Sequence, residues 1–487
     1  FDLLVALVNV VTNIPISYIY FQILPPLFAI LIGLLTYIFV LNWRGSRTEA
    51  KWATFFVYFS SSFGFIVTFL RDRQITGESM FWSQQAISTL VNPPFALSLI
   101  LILLGLISLQ KKNLILSILF FGLLIQIKVY AGLLVLGGLF CASLFELISK
   151  RYSLVPKVFL GALIFSLAIF LPFNKNPQSM IVWQPMWFLE TMMSYSDRLG
   201  WQRFYSAMTT YKMGGIWFKE FLAYGVAFVI FIIGNMGSRV IGLYYFYSLT
   251  KKKIKFDSIQ ILIISIVTFA VVIPTFFVQS GTPWNTIQFF YYYLFFFSIF
   301  AGMVTSQSNN FVKFFVVVFA IFGSWATLQH YLPKMPQAII SNDEIEALNF
   351  LAKEPEGTIL TYPFDKYKAT GAIANPPRHL HLYDSTAYVA AYTRKVTFLD
   401  DEVNLNIMGY DWQTRREEVL WFVSNLDIEK AKSFLKTNNI KYLYLVKAVS
   451  PLQGELLKLG STELDLEKIF ENKESIIYRY GENLGSN

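Results

Sequence analysis

Long apolar stretches separated by short polar ones fill the first two-thirds of the chain. They lie near 18–42, 52–70, 93–110, 113–127, 130–149, 157–173, 221–238, 257–278, 286–306 and 311–331. A membrane-spanning helix needs about 20 such residues, so the pattern predicts about ten transmembrane helices. The runs 113–127 and 130–149 are short and have Lys128 between them. They read as two short spans or as a re-entrant pair. Residues 3–12 read as a helix lying in the membrane interface.

From about residue 338 the pattern changes. "NDEIEALNFL" has helical spacing behind an Asn/Asp cap, and "GTILTYP" and "RKVTFLD" read as strands. "DWQTRREEVLWFVSN" and "DIEKAKSFLKTNN" are amphipathic helices that each start on Asp, and "IKYLYLVK", "EKIFEN" and "SIIYRY" are strands. The prediction is a polytopic α-helical membrane protein over 1–331, followed by a C-terminal extracytoplasmic α/β domain over 338–487.

Charge sets the expected orientation. "NWRGSRTEAK", "QKKN", "SKRYSLVPK" and "TKKKIK" occupy every second loop and hold most of the Lys and Arg, which marks them as cytoplasmic. The loops Arg71–Asn92, Lys128–Tyr130, Asn174–Lys219 and Gln279–Asn285, and everything after Tyr331, then face outward. This also puts Phe1 outside. A start at Phe1, without Met or a signal-like leader, reads as an internal start with a segment missing before it.

Composition agrees. The chain is 55% hydrophobic and 15% charged, with a mean hydropathy of +0.49, where a soluble domain is nearer a quarter charged. The net charge of +9 is not a nucleic-acid footprint. Lys and Arg outnumber Asp and Glu 22 to 9 up to residue 331, and 18 stand against 22 after it. The one cysteine, Cys141, excludes an internal disulfide. There is no internal repeat, glycine-rich phosphate loop, CxxC or HExxH. His330, His379 and His381 do not by themselves make a zinc set; the last two share a face only if "RHLHLY" is extended.

Candidate chemistry concentrates in three outward segments. The loop 71–92 carries Asp72, Glu78, Trp82, Gln84, Gln85 and Asn92. The loop 174–219 carries Trp183, Glu190, Asp197, Arg198 and Arg203. "SGTPWNTIQ" places Thr282, Trp284, Asn285, Thr286 and Gln288 at the mouth of an apolar helix. Aromatic faces stack on sugars, amides and carboxylates bind hydroxyls, and arginine clamps a phosphate. The same aromatics also suit a membrane-interface belt, and Asn285 and Gln288 also suit helix capping. Lys128 and Arg239 are charges near membrane depth, which face a cavity or a partner; Lys128, at the outward side, is a phosphate-contact candidate, whereas Arg239 reads rather as the cytoplasmic end of a helix. The aromatic run "FFYYYLFFF" would flank a prenyl chain.

Ten spans, polar outward loops and a trailing α/β domain resemble the GT-C superfamily of membrane glycosyltransferases. The stretches "VWQPMWFLETMM", "GTPWNTIQFFYYYLFFF" and "KYLYLV…KIFENKESIIYRY" look like those of a bacterial branch with this architecture. The resemblance covers nearly the whole chain as architecture, without a short diagnostic motif. It implies a transferase that moves a sugar from a polyprenyl-phosphate donor to an envelope glycan, lipid or protein acceptor, at the outer face of the plasma (inner) membrane. The family's usual catalytic residue is an acid in the first outward loop, acting as general base or holding a divalent metal such as Mg or Mn. Here that loop would lie before Phe1, and Asp2 is not assigned the role. A second acidic cluster could fall only on Asp72 and Glu78. Glu78 is preferred, because Arg71 and Arg73 flank Asp72; Glu190 and Asp197 stand behind it. Expected substrate contacts are Lys128, Trp82, Gln84, Trp183, Glu190, Asp197, Arg198, Arg203, Trp284, Asn285 and Gln288. Two other classes are carried alongside: a non-catalytic membrane protein with an envelope-binding outward domain, and a transporter or flippase for a lipid-linked saccharide.

Overall fold

The computed structural model describes residues 1–85, 92–150, 153–173, 181–251, 256–279, 283–332, 335–373, 375–424, 427–450 and 463–481. The chain divides into two compact units, Phe1–Leu332 and Pro333–Asn487. It is a multi-pass α-helical membrane protein with a sheet-containing C-terminal unit.

In the first unit, eight helices among the described residues are long and apolar enough to cross a membrane. They are Ile16–Arg44, Pro93–Gln110, Val129–Ile148, Val155–Phe173, Trp217–Leu249, Ser258–Phe276, Pro283–Gln307 and Asn310–Tyr331. Arg47–Phe59 and Gly64–Asp72 make a ninth span only as a pair bent by 42°. Leu114–Ile127, the remaining expected run, has 14 residues. The expected ten thus becomes eight full-length spans, one broken span and one short helix. A short amphipathic helix, Asp2–Thr12, precedes them and leaves most of its side chains exposed.

Pro283–Gln307 is the centre of this unit, with 89% of its apolar window buried. Every residue from Phe289 to Met303 is buried, packed mainly against Arg47–Phe59 and Ser258–Phe276. The run "FFYYYLFFF", expected to flank a prenyl chain, is therefore packed in the core. Its hydroxyls are held inside: Tyr292 shares a hydrogen bond with Ser98 at 2.7 Å.

Two spans break, and the breaks meet. The first opens at Ser60–Ser62. The second tightens into a 3-10 turn over Gly237–Gly242, between Trp217–Met236 and Leu243–Lys251. Gly237 has φ +52°, and a Cβ there would lie 1.8 Å from the Ser61 carbonyl oxygen, so only glycine fits. The Phe63 N–H donates to the Gly234 carbonyl at 2.8 Å. Backbone groups freed by a break need partners inside a membrane, and here each break supplies the other. Arg239 lies in the second break with no exposed surface. This corrects the reading of Arg239 as a helix end: the apolar run continues past it to Leu249.

The second unit is built on a four-stranded sheet in the order Thr358–Thr361, Ile440–Val446, Ser475–Tyr480, Leu466–Glu471. The first pair is parallel and the other two antiparallel. Ile440–Val446 is buried at six of its seven positions, as a central strand covered on both faces should be. Helices Asn342–Lys353, Trp412–Ser424 and Ile428–Thr437 carry side-chain caps from Ser341, Asp411 and Asp427. The expected strand "RKVTFLD" reduces to one bridge, Thr397 to Ile359. Ile359 takes up both available backbone bonds there, from its N–H to Val396 and from Phe398 to its carbonyl, each 2.8 Å. A separate two-stranded ribbon pairs Ala338–Ile339 with Arg378–His379 in parallel.

Candidate functional site

In the membrane unit, three of the polar segments converge on an aromatic cluster. Trp82 sits in the loop after Gly64–Asp72 at φ +74° and is 4% exposed. Its indole stacks on Trp284 with ring centroids 4.2 Å apart and planes at 17°. Trp187 meets it edge-on at 5.8 Å, and Phe188 lies beyond. The Arg198 guanidinium lies 5.7 Å from the Trp82 ring and 5.6 Å from that of Trp284. It donates to the Ser79 carbonyl at 2.8 Å and the Ser79 hydroxyl at 2.6 Å. Arg71 ties the same two loops, donating to the Ser196 and Arg198 carbonyls at 3.2 and 2.9 Å. Trp187 is anchored in turn by an indole N–H to the Pro274 carbonyl at 2.9 Å. Two donors in this cluster, Trp82 Nε1 and Arg198 Nε, are buried with no hydrogen-bond acceptor among the described residues.

Beneath the cluster runs a polar network. Gln84 accepts from the Tyr291 hydroxyl at 3.1 Å. The Glu78 carboxylate accepts the Gln85 N–H at 2.6 Å, and the Glu78 carbonyl accepts from Ser62 Oγ at 2.9 Å. Arg239 closes it with bonds to Gln85 Oε1 at 2.7 Å, Ser298 Oγ at 2.9 Å, the Ser60 carbonyl at 2.9 Å and the Asn235 carbonyl at 3.4 Å. The fork of the guanidinium thus joins both helix breaks, the core helix and the Trp82 loop. A buried charge at membrane depth that holds two broken spans is a functional signal.

The expected residues separate into two groups. Trp82, Gln84, Glu78, Arg198 and Trp284 are in or directly under the cluster, and Asp197 stands at its edge, 3.8 Å from Arg198 Nε and 68% exposed. The others make their contacts elsewhere or reach it only through an intermediary. Asp72 is held by Arg71 at 2.9 Å, as its flanking arginines suggest. Glu190 accepts from Lys212 at 2.7 Å and from the Tyr224 hydroxyl. Partial burial raises its carboxyl pKa, but these two donors outweigh that and hold it below the usual range. Trp183 stacks on Phe276, mostly exposed. Arg203 is exposed. Asn285 and Gln288 bond each other at 3.1 Å, and Thr286 Oγ1 accepts the Gln279 N–H at 2.7 Å, so the polar side chains of this stretch bond among themselves and to the strand before it, and none caps the helix that starts at Gln288. Thr282 lies outside the described residues. Lys128 places its ammonium 5.3 Å from the Tyr130 ring, and Tyr130 donates to Gln279 at 2.9 Å.

Charge pattern alone hid the role of Arg239. The Gly237–Ser238 pair before it is the local signal that finds it, because Gly/Ser pairs are where helices kink. Ser79 and Trp187 carry no signal of their own.

The second unit holds a different grouping. Glu344, His379 and His381 are the only described set of three ligating side chains whose donor atoms lie within 4.8 Å of one another. The Glu344 carboxylate has no exposed surface. Burial raises its pKa, and the His381, Tyr388 and His379 contacts more than reverse that. The two imidazoles are stacked at 5.2 Å. Nearby, a cavity of about 50 Å³ is lined by Thr361, His381, Tyr388, Asp400 and Tyr444 among others. Burial there pushes the Asp400 carboxyl up to about 7. The group of Glu344, His379 and His381 is compatible with a divalent metal; among the described residues of the membrane unit no such set of three donors stands together.

No protein-family model matches the chain, and no curated protein matches it. Among solved structures it is similar to an oligosaccharyltransferase of Archaeoglobus fulgidus in complex with zinc and sulfate, at 10% identity and a TM-score of 0.48, covering 91% of this chain and 58% of that one. A second is the oligosaccharyltransferase AglB of the same organism with an inhibitory peptide and a dolichol-phosphate, at 11% identity and a TM-score of 0.35, covering 91% and 60%. The chain spans less than two-thirds of either neighbour's length.

Proposed function

We propose that the Trp82–Trp284–Arg198 cluster binds the phosphate-linked sugar of a polyprenyl carrier, and that the protein is a membrane glycosyltransferase of the GT-C kind. One observation carries this reading. Two buried donors, Trp82 Nε1 and Arg198 Nε, stand together on an indole platform with no acceptor among the described residues. A buried donor without a partner costs about 1–3 kcal/mol, a penalty that a bound acceptor removes. A phosphate oxygen or a sugar hydroxyl supplies that acceptor, and the indole faces take the C–H face of a sugar.

In this reading Arg198 holds the phosphate, and Gln84 and the paired indoles orient the sugar. Asp197 is the acid paired with Arg198 at the edge of the cluster, whereas Glu78, beneath it, accepts the Gln85 N–H and serves to shape the loop. Lys128 remains a phosphate contact for the carrier. The donor reaches the site through the bilayer of the plasma membrane, and an envelope glycan, lipid or protein accepts the sugar on the outer face, where the C-terminal domain also lies.

The test uses the chain in membranes with a panel of radiolabelled polyprenyl-phosphate sugars, reading donor binding and loss of label from the lipid. Arg198→Ala and Trp82→Ala should each lower donor binding at least tenfold. Equal binding by wild type and both variants would overturn the assignment.

A second reading, translocation of a lipid-linked saccharide, is favoured by the two broken spans that meet at Arg239, a device of transporter binding sites. Flipping of a fluorescent lipid-linked sugar in liposomes, with no label transferred, would select it.

A further inference from the structure

We propose that Glu344, His379 and His381 hold one divalent transition-metal ion, zinc by the chemistry of the donors, in the C-terminal unit. The inference stands apart from the ligand cluster of the membrane unit and does not depend on it.

The distances are the first ground. Glu344 Oε2 lies 3.4 Å from His381 Nδ1 and 3.8 Å from His379 Nδ1. An N–H···O bond prefers about 2.9 Å, so the His381 contact is a long hydrogen bond and the His379 contact lies beyond hydrogen-bond reach. Ligands on one tetrahedral zinc, with bonds of about 2.0–2.2 Å, stand about 3.3–3.6 Å apart. The spacing is therefore closer to that of atoms sharing an ion than of atoms bonded to each other.

The second ground is how the donors are held. The other carboxylate oxygen, Oε1, accepts from the Tyr388 hydroxyl at 3.1 Å and the Tyr444 hydroxyl at 3.3 Å. These donors fix the carboxylate with Oε2 toward the histidines, as outer partners do for metal ligands. His379 Nδ1 is buried and has no hydrogen-bond partner among the described residues. The ligands come from two elements, the helix Asn342–Lys353 and the Arg378–Leu382 segment, so an ion would pin one to the other.

Donor type decides the metal. Two imidazole nitrogens and one carboxylate suit zinc, whereas magnesium prefers oxygens in octahedral geometry. Access is open: both histidines line a cleft of about 330 Å³ edged by Lys368, Lys447 and Lys473. His379 keeps 38% of its side chain exposed there.

The experiment uses the full chain purified in detergent, stripped with EDTA and titrated with zinc chloride. Bound zinc is counted by mass spectrometry, and cobalt is substituted to read coordination from its visible spectrum. The expected result is one zinc per chain and an intense tetrahedral cobalt band. His379→Ala and His381→Ala should each weaken binding at least about tenfold, since removing even an outer partner costs 10–100-fold. His330→Ala, in the membrane unit, should leave binding unchanged. If His381→Ala does not fold, His379→Ala and Tyr388→Phe carry the same test, with circular dichroism as the folding control. Failure of the stripped wild type to bind zinc would overturn the proposal. So would zinc that survives the histidine variants, or an octahedral cobalt spectrum.

Discussion

Arg239→Met probes the junction of the two helix breaks. The wild-type guanidinium is wholly buried and makes four hydrogen bonds, to Gln85, Ser298, Ser60 and Asn235. Two effects oppose each other when it is removed. Three of the four bonds leave its own span, and interhelical side-chain hydrogen bonds in membranes average about 0.6 kcal/mol, so losing them costs about 1.8 kcal/mol. Removing a charge from membrane depth returns about 2.5–3.5 kcal/mol on the insertion scale. Methionine also fills most of the volume, so no large cavity adds to the cost. The two terms nearly cancel, and Arg239→Met should fold within about 2 kcal/mol of wild type. Arg239→Ala leaves the space empty and should lie about 2–5 kcal/mol lower still. Function should respond differently. Without the fork, the Ser60 carbonyl and the Gln85 amide lose their shared donor, and the Trp82 loop keeps only its other ties to the breaks, through Ser62 and Asn235. Donor binding should fall at least tenfold in Arg239→Met despite the small stability change. Denaturant unfolding in detergent and lipid-linked sugar binding are read on the same preparations. Wild-type donor affinity in a folded Arg239→Met protein would refute the claim that this side chain positions the site.

Asp400 gives a pH prediction for the C-terminal unit. Its carboxyl is raised to about 7 by burial, so the folded state binds the proton more tightly than the unfolded one. The stabilisation is complete below about pH 4 and is lost as pH rises through 7, a total of about 4 kcal/mol. Asp400→Asn should flatten that slope and protect the neighbouring Thr358–Thr361 strand at pH 8 but not at pH 4, read by hydrogen exchange; an unchanged slope rejects it. Gly237→Ala should give little folded protein on size exclusion, because its Cβ would meet the Ser61 carbonyl oxygen at 1.8 Å. Lys212→Ala removes an ion pair whose lysine is 55% exposed, so its stability should change by less than about 1 kcal/mol; a larger loss on thermal unfolding would show that Glu190 is more than a surface partner.

Hydrophobic run length made most of the fold legible, because a span needs only enough apolar residues in a row. It failed where a run contains a break. Residues 52–70 look continuous, but the helix opens at Ser60–Ser62 because Arg239 and Gly234, far along the chain, take up the Ser60 carbonyl and the Phe63 N–H. The run 221–238 looked complete because Arg239 resembled a stop, whereas the structure absorbs the charge in its core. Both errors have one cause: a local pattern cannot report a partner from another span. The aromatic cluster was partly legible, since Trp82, Arg198 and Trp284 are the residue types that bind sugars and phosphates. Their meeting was not, because it depends on Arg71 and Ser79 joining two loops more than 100 residues apart.

The histidine pair makes the same point in the second unit. "RHLHLY" was judged on whether its own backbone is extended, and it is so only at Arg378–His379, before a 3-10 turn at Leu380–Leu382. What assembles the cluster is the pairing of Ala338–Ile339 with Arg378–His379. The first of these strands leads, through the Ser341 cap, directly into the helix that carries Glu344. Registering the strands therefore also sets the helix start beside the turn, and a carboxylate 37 residues away arrives at the histidines. Two bridged residue pairs are a small anchor for that geometry, and an ion shared by the three side chains would reinforce it from the other end. Zinc should accordingly slow hydrogen exchange at Arg378 and His379 more than in the Thr358–Thr361 strand. Equal protection of both would mean that the ribbon needs no such support.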